Sequence, residues 1–369
     1  MQIVQRQENL SYRARQQFDE IIDVRSPSEY AEDHIPGAIN LPVLNDDERE
    51  EVGTVYRQES KQVARRIGAA YATRNISRFL SGFFSSKPNT YRPLVYCWRG
   101  GMRSQSMATI LNSVGWYTNV VDKGYRSWRN EVVLQLRKTH LPHRFILVDG
   151  QTGAGKTKIL HALAMLGSQI LDIEKLANHR GSVFGSLNDN KQPTQKYFES
   201  LLFDALERLD PTQVIFVEAE SPKIGRRAIP KTLVDAMRRS PRIELNADLA
   251  KRADNLVDCY ADLIAAPLRL ANAIEFLRPF HATEVIERWR ALASTQKYHR
   301  LAEELIEQHY DPCYLRQRRK RQDSAIAHVS VNGFEQHTLN SAAQQIRRVA
   351  AIHLQNATNT NEPTFEKTA

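Results

Sequence analysis

Residues 144–166, RFILVDGQTGAGKTKILHALAML, carry the pattern that decides the fold of the middle of the chain. An apolar run ends at Gly150, a glycine-rich turn follows, and a helical pattern begins near Lys156. Residues 150–157 fit G-x-x-x-x-G-K-[ST] at every fixed position, in the strand–loop–helix context that this motif requires. The stretch therefore predicts an α/β domain with a phosphate-binding loop.

The residue types of this loop have a direct physical use. Its glycines let successive backbone N–H groups face a bound phosphate, and the start of the following helix adds a favourable dipole. A lysine supplies a point charge, and a threonine supplies a hydroxyl suited to a phosphate oxygen or its magnesium ion. The motif indicates a ligand that carries a diphosphate. We expect no tightly bound cofactor and no dedicated metal site. Whether the ligand is hydrolysed, and whether Mg²⁺ is needed, stays open at this point. The predicted phosphate-binding residues are Gly150, Gly153, Gly155, Lys156 and Thr157.

A second apolar run, VIFVEAE (214–220), reads as another strand of the same sheet and carries Glu218 and Glu220 at its end. In nucleoside triphosphatases an acidic residue at such a strand end holds magnesium and positions water. Here the residue is glutamate rather than the more usual aspartate. Two readings follow, a catalytic or metal-linked carboxylate and a solvated strand end.

Short apolar runs alternate with helical patterns in the first part of the chain as well, which is typical of α/β folds with parallel sheets. We expect strands at 18–24, 93–97 and 116–122, and helices at 61–80, 103–114 and 125–138. The predicted organisation is a parallel-sheet α/β domain at 1–138, a phosphate-loop α/β domain at 144–245, a mostly helical region at 246–355 and a disordered tail at 356–369.

The loop YCWRGGMRS (96–104) combines a cysteine with two arginines and two glycines, between an apolar strand and a helix. Gly100 and Gly101 permit a tight arc of inward N–H groups, and the helix start together with the arginines stabilises a thiolate. A thiolate in such a cup can attack an anionic donor and form a covalent intermediate. A buried structural cysteine is the alternative, but it leaves the arginines and glycines unexplained. The predicted catalytic residues are Cys97, Arg99 and Arg103.

The upstream segment IIDVRSPSEYAEDHIPGAINLP (21–42) resembles the opening of rhodanese domains, where D-V-R and H-I-P-G-A precede an active-site cysteine loop. The resemblance implies that Asp23 and Arg25 form a polar pair supporting that loop, and that His34 shapes a turn and binds no metal. The C-x-x-x-x-x-R spacing from Cys97 departs from the simplest sulfurtransferases and also fits the phosphate cup of cysteine-dependent phosphatases. The longer arc should admit a tetrahedral anion such as phosphate or selenophosphate.

The two loops on one chain, with LDIEKLANHRGSVFG (171–185), closely resemble the tRNA 2-selenouridine synthase family, across both α/β domains and into the helical region. The resemblance implies exchange of the sulfur of wobble 2-thiouridine in tRNA for selenium from selenophosphate, after geranylation of that sulfur by geranyl diphosphate. The phosphate loop would hold geranyl diphosphate, because the chain lacks the D-D-x-x-D motif of common prenyl-transfer enzymes. Cys97 would carry selenium as a perselenide, and an enzyme that supplies selenophosphate is an expected partner.

The charge balance agrees with a nucleic-acid or phosphorylated partner, because 51 Lys and Arg against 42 Asp and Glu give +9. A basic run is also an ordinary solvated surface, and aromatic residues at helical spacing are more often core than ligand pocket. His179 and Arg180 are candidates for a substrate contact or a loop cap, and Tyr197 and Phe198 for a prenyl pocket or core. Candidates for tRNA contact are Lys251, Arg252, Arg316, Arg318, Arg319, Lys320 and Arg321.

The three cysteines, Cys97, Cys259 and Cys313, are far apart, which excludes a disulfide framework and is typical of a reducing compartment. We expect the last two to be structural. No apolar run approaches the ~20 residues of a membrane span, and the first residues lack a signal-peptide core, so a cytoplasmic location is predicted. The sequence does not indicate an oligomeric state.

Two other functions stay open at this stage. One is a rhodanese-type sulfurtransferase or cysteine phosphatase fused to a nucleotide-binding phosphate-loop domain. The other is a non-enzymatic switch, which the intact Cys97 with its arginines disfavours because a docking module needs no thiolate.

Overall fold

The computed structural model describes residues 4–182, 184–185, 192–318 and 324–359. Within these residues no helix is both long and apolar enough to cross a bilayer. The chain divides into two compact units, Met1–Lys138 with Pro193–Arg208, and Thr139–Gln192 with Leu209–Ala369.

The strands are β1 Gln5–Gln7, β2 Glu20–Asp23, β3 Ile39–Asn40, β4 Pro93–Tyr96, β5 Asn119–Val121, β6 Arg144–Gly150, β7 Gln169–Leu171, β8 Val214–Glu218, β9 Lys223–Ile224, β10 Arg227–Ala228, β11 Arg242–Asn246 and β12 Ala327–Ser330. The α-helices are α1 Tyr12–Arg15, α2 Pro27–Glu32, α3 Asp46–Gln58, α4 Lys61–Ser81, α5 Met102–Val114, α6 Tyr125–Leu136, α7 Lys156–Met165, α8 Ile173–Ala177, α9 Gln195–Arg208, α10 Lys231–Arg239, α11 Leu249–Cys259, α12 Ala261–Ile264, α13 Pro267–Glu275, α14 Thr283–Ser294, α15 Tyr298–Leu305, α16 Asp311–Arg318 and α17 Gln336–Asn359. The chain also forms a 3₁₀ turn at Arg278–Phe280 and a π-helical turn at Ile306–Tyr310.

The first unit is built on a parallel five-stranded sheet in the order β1-β5-β4-β2-β3. Ile22 and Val95 on its central strands are fully buried, as expected for a sheet covered on both faces. Asp23 at the end of β2 lies opposite Tyr96 at the end of β4. The pairing therefore brings the residues after these two strands, including Cys97, to one edge of the sheet.

Helix α9 packs within the first unit, although it follows the phosphate loop in sequence. The indole Nε1 of Trp128 on α6 donates to Ser200 Oγ at 3.1 Å, and the Trp128 ring lies 5.2 Å from that of Phe203. Arg15 forms a buried ion pair with Asp204. The apolar face of this amphipathic helix is thus covered by α6, and the helix lies outside the phosphate-loop unit.

The second unit contains a parallel sheet in the order β12-β11-β6-β8-β7, with helices α7 and α17 packed on one shared core. Val148, Leu160 and Ile346 are buried in that core. Because β6 and β8 are parallel neighbours, the phosphate loop after β6 and the acidic end of β8 lie at the same edge of the sheet. The α/β fold class predicted from the sequence is confirmed.

The described residues between β11 and β12 are mainly helical, and α12 to α15 contribute to a core that includes the fully buried Trp289. The described part of the region 246–355 nevertheless includes strand β12, which pairs with β11 and forms an edge of the sheet. Helix α17 continues to Asn359, past the predicted start of the tail at 356, and residues 360–369 lie outside the described part of the chain.

Candidate functional sites

Cys97 lies directly after β4, and its side chain is buried at 3% exposure. Its Sγ lies 3.2 Å from the Oγ of Ser104, which is fully buried on the first turn of α5. The Ser104 hydroxyl donates to the Gly101 carbonyl at 3.1 Å, and when it turns toward Cys97 it can instead donate to a thiolate and stabilise the charged form of the cysteine. The sequence analysis did not identify Ser104 as a site residue. Its position immediately after Arg103, the arginine that ends the C-x-x-x-x-x-R spacing, could have indicated it.

The Cys97 loop is fastened to the start of α6 by backbone hydrogen bonds. The N–H of Tyr125 donates to the Cys97 carbonyl at 2.8 Å, and the N–H of Arg126 donates to the Trp98 carbonyl at 3.1 Å. This contact needs Gly124, which has φ +61° and whose Cβ, if present, would lie 2.2 Å from the Cys97 carbonyl oxygen. The sequence analysis did not identify Gly124 either, because this glycine lies just before α6, outside the apolar pattern that predicts the helix.

The two glycines predicted to form the cup lie between the cysteine and helix α5. Gly100 is buried with φ +64°, and Gly101 is exposed at the N-cap position of α5. No side chain caps the first N–H groups of this helix within the described residues. Those donors are therefore available to an anion that approaches Cys97.

The two arginines of the loop have different surroundings. Arg103 forms an ion pair with Glu29, with Nη2–Oε1 at 3.3 Å and a closer contact between Nη1 and Oε2. Burial alone would raise the pKa of Glu29, but the hydrogen bond and charge of Arg103 hold it below its ordinary value. Arg99 is exposed and has no ion pair among the described residues. Arg99 is thus the free cation of the loop, and Arg103 is partly neutralised.

Asp23 and Arg25 form a buried, bidentate ion pair beside the strand that carries Cys97. Arg25 Nε lies 3.0 Å from both carboxylate oxygens, and Nη2 donates to Asp23 Oδ2 at 2.6 Å. The guanidinium also lies 4.0 Å from the centre of the Tyr125 ring. Burial lowers the pKa of Arg25, but Asp23 more than offsets this, so the net pKa is raised. The pair therefore supports Tyr125, whose N–H holds the Cys97 loop.

His34 lies in an aromatic stack. Its ring centre is 3.8 Å from that of Tyr30 and 4.0 Å from that of Tyr197, and Nδ1 is 2.9 Å from the Tyr30 carbonyl. Burial lowers its pKa. Tyr197 packs on His34 and Phe198 is fully buried, which agrees with the alternative that these aromatic residues are core rather than the lining of a prenyl pocket. Their helix uses them as core.

In the second unit the phosphate loop connects β6 to α7, and Gly150, Gly153 and Gly155 all have positive φ. Lys156 Nζ donates to the Gly150 carbonyl at 3.0 Å and so folds back over the loop. A Cβ at Gly155 would lie 2.5 Å from the ring of Phe334. Lys156 and Thr157 line a cavity of about 500 Å³ at the start of α7.

Helix α11 supports the loop from its other side. Arg252 Nε donates to the Thr152 carbonyl at 2.8 Å, and the guanidinium is paired with Asp311. Asn255 Nδ2 donates to the Gly153 carbonyl at 2.9 Å. Arg252 is only 3% exposed, so the expectation that it contacts tRNA is wrong, because its guanidinium is already occupied inside the unit. Its neighbour Lys251 is exposed.

Three carboxylates line the cavity opposite the lysine. Oxygens of Glu174, Glu218 and Glu220 lie within 4.8 Å of one another. Burial, reinforced by repulsion from neighbouring carboxylates, raises the pKa of Glu174 and Glu218, and Lys156 opposes this. Glu218 is 2% exposed and its Oε1 has no hydrogen-bond partner within the described part of the chain. The solvated-strand-end reading of Glu218 is therefore wrong, since the carboxylate is buried.

The remaining candidates fall into two groups. Arg180 lines the cavity and pairs with Asp262 at 2.8 Å, whereas His179 Nδ1 accepts from the Gly181 N–H at 3.1 Å and caps the turn. Cys259 and Cys313 also line the cavity. Within the basic run, Arg316 is exposed and Arg318 pairs with Glu244. Arg319, Lys320 and Arg321 lie outside the described residues.

Comparison with known proteins assigns both units. The sequence model of the rhodanese-like domain matches residues 6–131, and that of the tRNA 2-selenouridine synthase AAA domain matches residues 143–276. The first match contains the Cys97 loop, and the second contains the phosphate loop and the glutamate cluster. Each candidate site therefore lies inside a domain of a recognised family.

Two curated relatives match along most of the chain. A tRNA 2-selenouridine synthase from Nitrosomonas europaea is 32% identical over 286 residues, which are 75% of this chain and 73% of the relative. Another from Bdellovibrio bacteriovorus is 35% identical over 291 residues, 74% of each. With both domains, both loops and this coverage, the chain belongs to the tRNA 2-selenouridine synthase family.

Proposed function

We propose that this protein converts wobble 2-thiouridine in tRNA to 2-selenouridine in two steps, using geranyl diphosphate and then selenophosphate. The observation that carries the proposal is the presence of two anion cups of different chemistry on one chain of this family. One cup has a buried cysteine beside a helix start, and the other has a lysine and a phosphate loop. A nucleophile suits the selenium donor, and a phosphate loop suits a leaving diphosphate.

In the first step the phosphate loop holds the diphosphate of geranyl diphosphate. The thiocarbonyl sulfur attacks C1 of the geranyl group, a C–S bond forms, the C–O bond breaks, and diphosphate departs with the electron pair. Lys156 and the N–H groups at the start of α7 stabilise the charge that develops on the leaving group. The thiocarbonyl sulfur is a poor leaving group, whereas the S-geranyl group can leave as geranylthiolate.

Mg²⁺ fits this cavity as a companion of the diphosphate. Glu218 offers a buried oxygen that has no hydrogen-bond partner among the described residues, and oxygens of Glu174 and Glu220 lie within 4.8 Å of a Glu218 oxygen. Carboxylate and hydroxyl oxygens are the ligands that magnesium prefers. When bound, the ion would neutralise charge on the departing diphosphate. We expect EDTA to weaken pyrophosphate binding to the wild type, and Glu218→Gln to abolish that sensitivity, both measured by titration calorimetry.

In the second step we propose that Cys97 attacks the phosphorus of selenophosphate. The S–P bond forms, the P–Se bond breaks, and hydrogen selenide is released beside the geranylated base. Selenide adds to C2 of the base and geranylthiolate leaves, while water hydrolyses the Cys97 thiophosphate to phosphate. This route needs no oxidant, because selenium stays at the selenide level throughout. A Cys97 perselenide formed with release of phosphate would need one, which is why the route through phosphorus is preferred.

The phosphatase-like spacing supports attack at phosphorus. The C-x-x-x-x-x-R arc ends at Arg103 and is followed by Ser104, whose hydroxyl lies 3.2 Å from the cysteine sulfur. Trapping with selenophosphate that carries either radioactive phosphorus or radioactive selenium distinguishes the routes. Phosphorus retained on the wild type and absent from Cys97→Ser supports the thiophosphate. Retained selenium supports the perselenide instead.

The expected partners follow from this chemistry. We propose that tRNA binds with the exposed Lys251 and Arg316 among its phosphate contacts, that an enzyme making selenophosphate supplies the donor, and that the reaction takes place in the cytoplasm. Phosphate contacts lower affinity steeply with salt. Replacing either residue by alanine should therefore weaken tRNA binding and reduce its salt dependence, without changing pyrophosphate binding.

The proposal is tested by separating its two steps on one tRNA. Geranyl diphosphate alone should yield the S-geranyl nucleoside with wild type and with Lys175→Ala, an exposed lysine on α8, but not with Lys156→Ala. Selenophosphate added to pre-geranylated tRNA should yield selenouridine with Lys156→Ala and not with Cys97→Ser. Loss of both reactions in either variant would contradict the separation of the two sites.

A further inference from the structure

Trp98 follows Cys97 directly, in the loop between β4 and α5. Unlike the buried cysteine, its side chain is partly exposed to solvent. The indole ring centre lies 5.2 Å from that of the buried Tyr125, at an interplanar angle of 39°. The Trp98 carbonyl accepts a hydrogen bond from the Arg126 N–H at 3.1 Å. A partly exposed indole is therefore held in place next to the residue that carries the reactive sulfur.

The groups behind this indole are themselves fixed. The Arg25 guanidinium lies 4.0 Å from the centre of the Tyr125 ring and 5.9 Å from that of the Trp98 ring. Arg25 is held by its buried ion pair with Asp23. The Tyr125 hydroxyl donates to Asp33 Oδ2 at 2.7 Å. Because every group that backs the indole has a further contact, the indole is a preorganised surface.

Three basic residues belong to the Cys97 loop and to the turn that is hydrogen-bonded to it, namely Arg99, Lys123 and Arg126. All three are exposed, and within the described parts of the chain none forms an ion pair. The neighbouring Asp122 does not neutralise them, because it is paired with Arg6 at 2.8 Å. Lys123 has φ +55°, a left-handed conformation that is uncommon for residues with a side chain and that clusters at functional sites. An excess of positive charge thus lies close to the indole.

From this arrangement, and resting on the selenium-transfer step proposed above, we infer that Trp98 is the stacking surface for the reacting nucleobase. The three cations bind the RNA phosphates that flank that base. Aromatic side chains beside basic ones are how proteins hold single-stranded nucleic acid, and bases splayed out of RNA loops stack on such side chains. Stacking fixes the plane of the base and leaves its other face open to selenide.

A small anion alone accounts for only part of these features. Selenophosphate is a single phosphate-sized group, and the uncapped N–H groups at the start of α5 suit it. The face of an indole is electron-rich and attracts rings and cations rather than anions. An indole combined with unpaired cations therefore fits a ligand that has both a ring and phosphates, which a nucleotide within RNA provides.

The binding test uses an anticodon stem-loop RNA with 2-selenouridine, the reaction product, at the wobble position, and the same RNA without a base there. Measured by fluorescence anisotropy, wild type should bind the base-bearing RNA about 10- to 100-fold more tightly, the range expected for one stacked base. Trp98→Ala should bind the two RNAs equally. Trp98→Phe should recover most of the preference, whereas Trp98→Leu, which has no aromatic face, should not.

The kinetic test measures selenium transfer to pre-geranylated RNA. Trp98→Ala should raise the KM for the RNA and leave the KM for selenophosphate unchanged. Tyr117→Ala is the matched control and should change neither constant. Tyr117 is an exposed aromatic residue of the same sheet, but it precedes β5 and therefore lies at the edge opposite to the Cys97 loop.

The cations are tested through the salt dependence of RNA binding. Lys123→Ala and Arg126→Ala should each reduce the slope of log affinity against log salt concentration by about 0.7, the value for one phosphate contact on a single strand. Arg92→Ala should leave the slope unchanged, because this exposed arginine precedes β4 at the opposite edge of the sheet.

The outcomes separate this inference from the proposed function. A preference for base-bearing RNA that is the same in Trp98→Ala as in wild type would overturn the stacking role while leaving the Cys97 chemistry intact. A raised KM for selenophosphate with unchanged RNA binding would also overturn it, in favour of a small-anion role for the loop. Failure of wild type to transfer selenium to pre-geranylated RNA would instead overturn the proposed function itself.

Discussion

Replacing Arg252 by alanine tests how the phosphate loop is held in shape. The guanidinium is buried, with its side chain 4% exposed, and it pairs with Asp311, which is 20% exposed. It also donates to the Thr152 carbonyl in the loop at 2.8 Å. The substitution removes both contacts and leaves a partly buried carboxylate without its cation.

The magnitude follows from the burial of the pair. Removing one partner of a fully buried ion pair costs about 3–5 kcal/mol, and the partial exposure of Asp311 reduces this to about 2–4 kcal/mol. For a unit of this size each kcal/mol lowers Tm by about 2–4 °C, so the phosphate-loop unit should melt about 5–15 °C lower. Pyrophosphate affinity should fall about tenfold, because the loop loses a support that preorganises its N–H groups.

The assay is scanning calorimetry with and without pyrophosphate, and the two units are expected to give separate transitions. Lys251→Ala is the matched control, since the neighbouring lysine is exposed and should change stability by less than about 0.5 kcal/mol. Suppose that Arg252→Ala has the Tm and the pyrophosphate affinity of the wild type but binds tRNA more weakly. Arg252 would then be a surface contact for tRNA, and the inference that it supports the phosphate loop would be wrong.

Three further predictions concern other features. Gly124→Ala should abolish selenium transfer, because its Cβ would overlap the Cys97 carbonyl oxygen. Gly115→Ala is the control, since Gly115 also has a positive φ but faces open space, and it should lose only about 1–2 kcal/mol of stability. Equal loss of selenium transfer in the two variants would contradict the overlap. Because Arg103 lowers the pKa of Glu29, the ion pair stabilises the folded first unit at every pH above the ordinary glutamate pKa. This stabilisation is lost as the pH falls through the lowered pKa. Glu29→Gln should therefore lower Tm at pH 7, and the difference from wild type should vanish as the pH falls through the lowered pKa of Glu29. A Tm difference that grows in acid would refute the assignment. Cys259→Ser should keep most of the activity. In the wild type Cys259 lines the phosphate cavity, so bound pyrophosphate should slow its alkylation, as followed by mass spectrometry. Alkylation at the same rate with and without pyrophosphate would place this thiol outside the ligand site.

The parts of the fold that the sequence predicts are those whose signals are local. Strand β6, the phosphate loop and α7 follow one another within a short stretch, and glycine, lysine and threonine spacing identifies the loop directly. Strand β4 and α5 around Cys97 are readable for the same reason. The resemblance to rhodanese domains also brings Asp23 and Arg25 to attention, although they lie far from Cys97 in sequence.

The features that the sequence did not predict depend on distant partners. The amphipathic pattern of α9 shows that one face is buried but not that α6 covers it. Strand β12 is a short edge strand whose identity depends on pairing with β11. Arg252 looks like part of a basic surface beside Lys251, and only the fold reveals its contacts. A local signal for it does exist, since Arg252 and Asn255 are three residues apart on one helix and therefore share a face.

The most direct test of the central claim is nucleoside mass spectrometry of 2-thiouridine tRNA incubated with the protein, geranyl diphosphate and selenophosphate. The account predicts 2-selenouridine with wild type, arrest at the S-geranyl nucleoside with Cys97→Ser, and unchanged 2-thiouridine with Lys156→Ala. Unaltered tRNA with all three proteins, or selenouridine formed without any dependence on geranyl diphosphate, would contradict it.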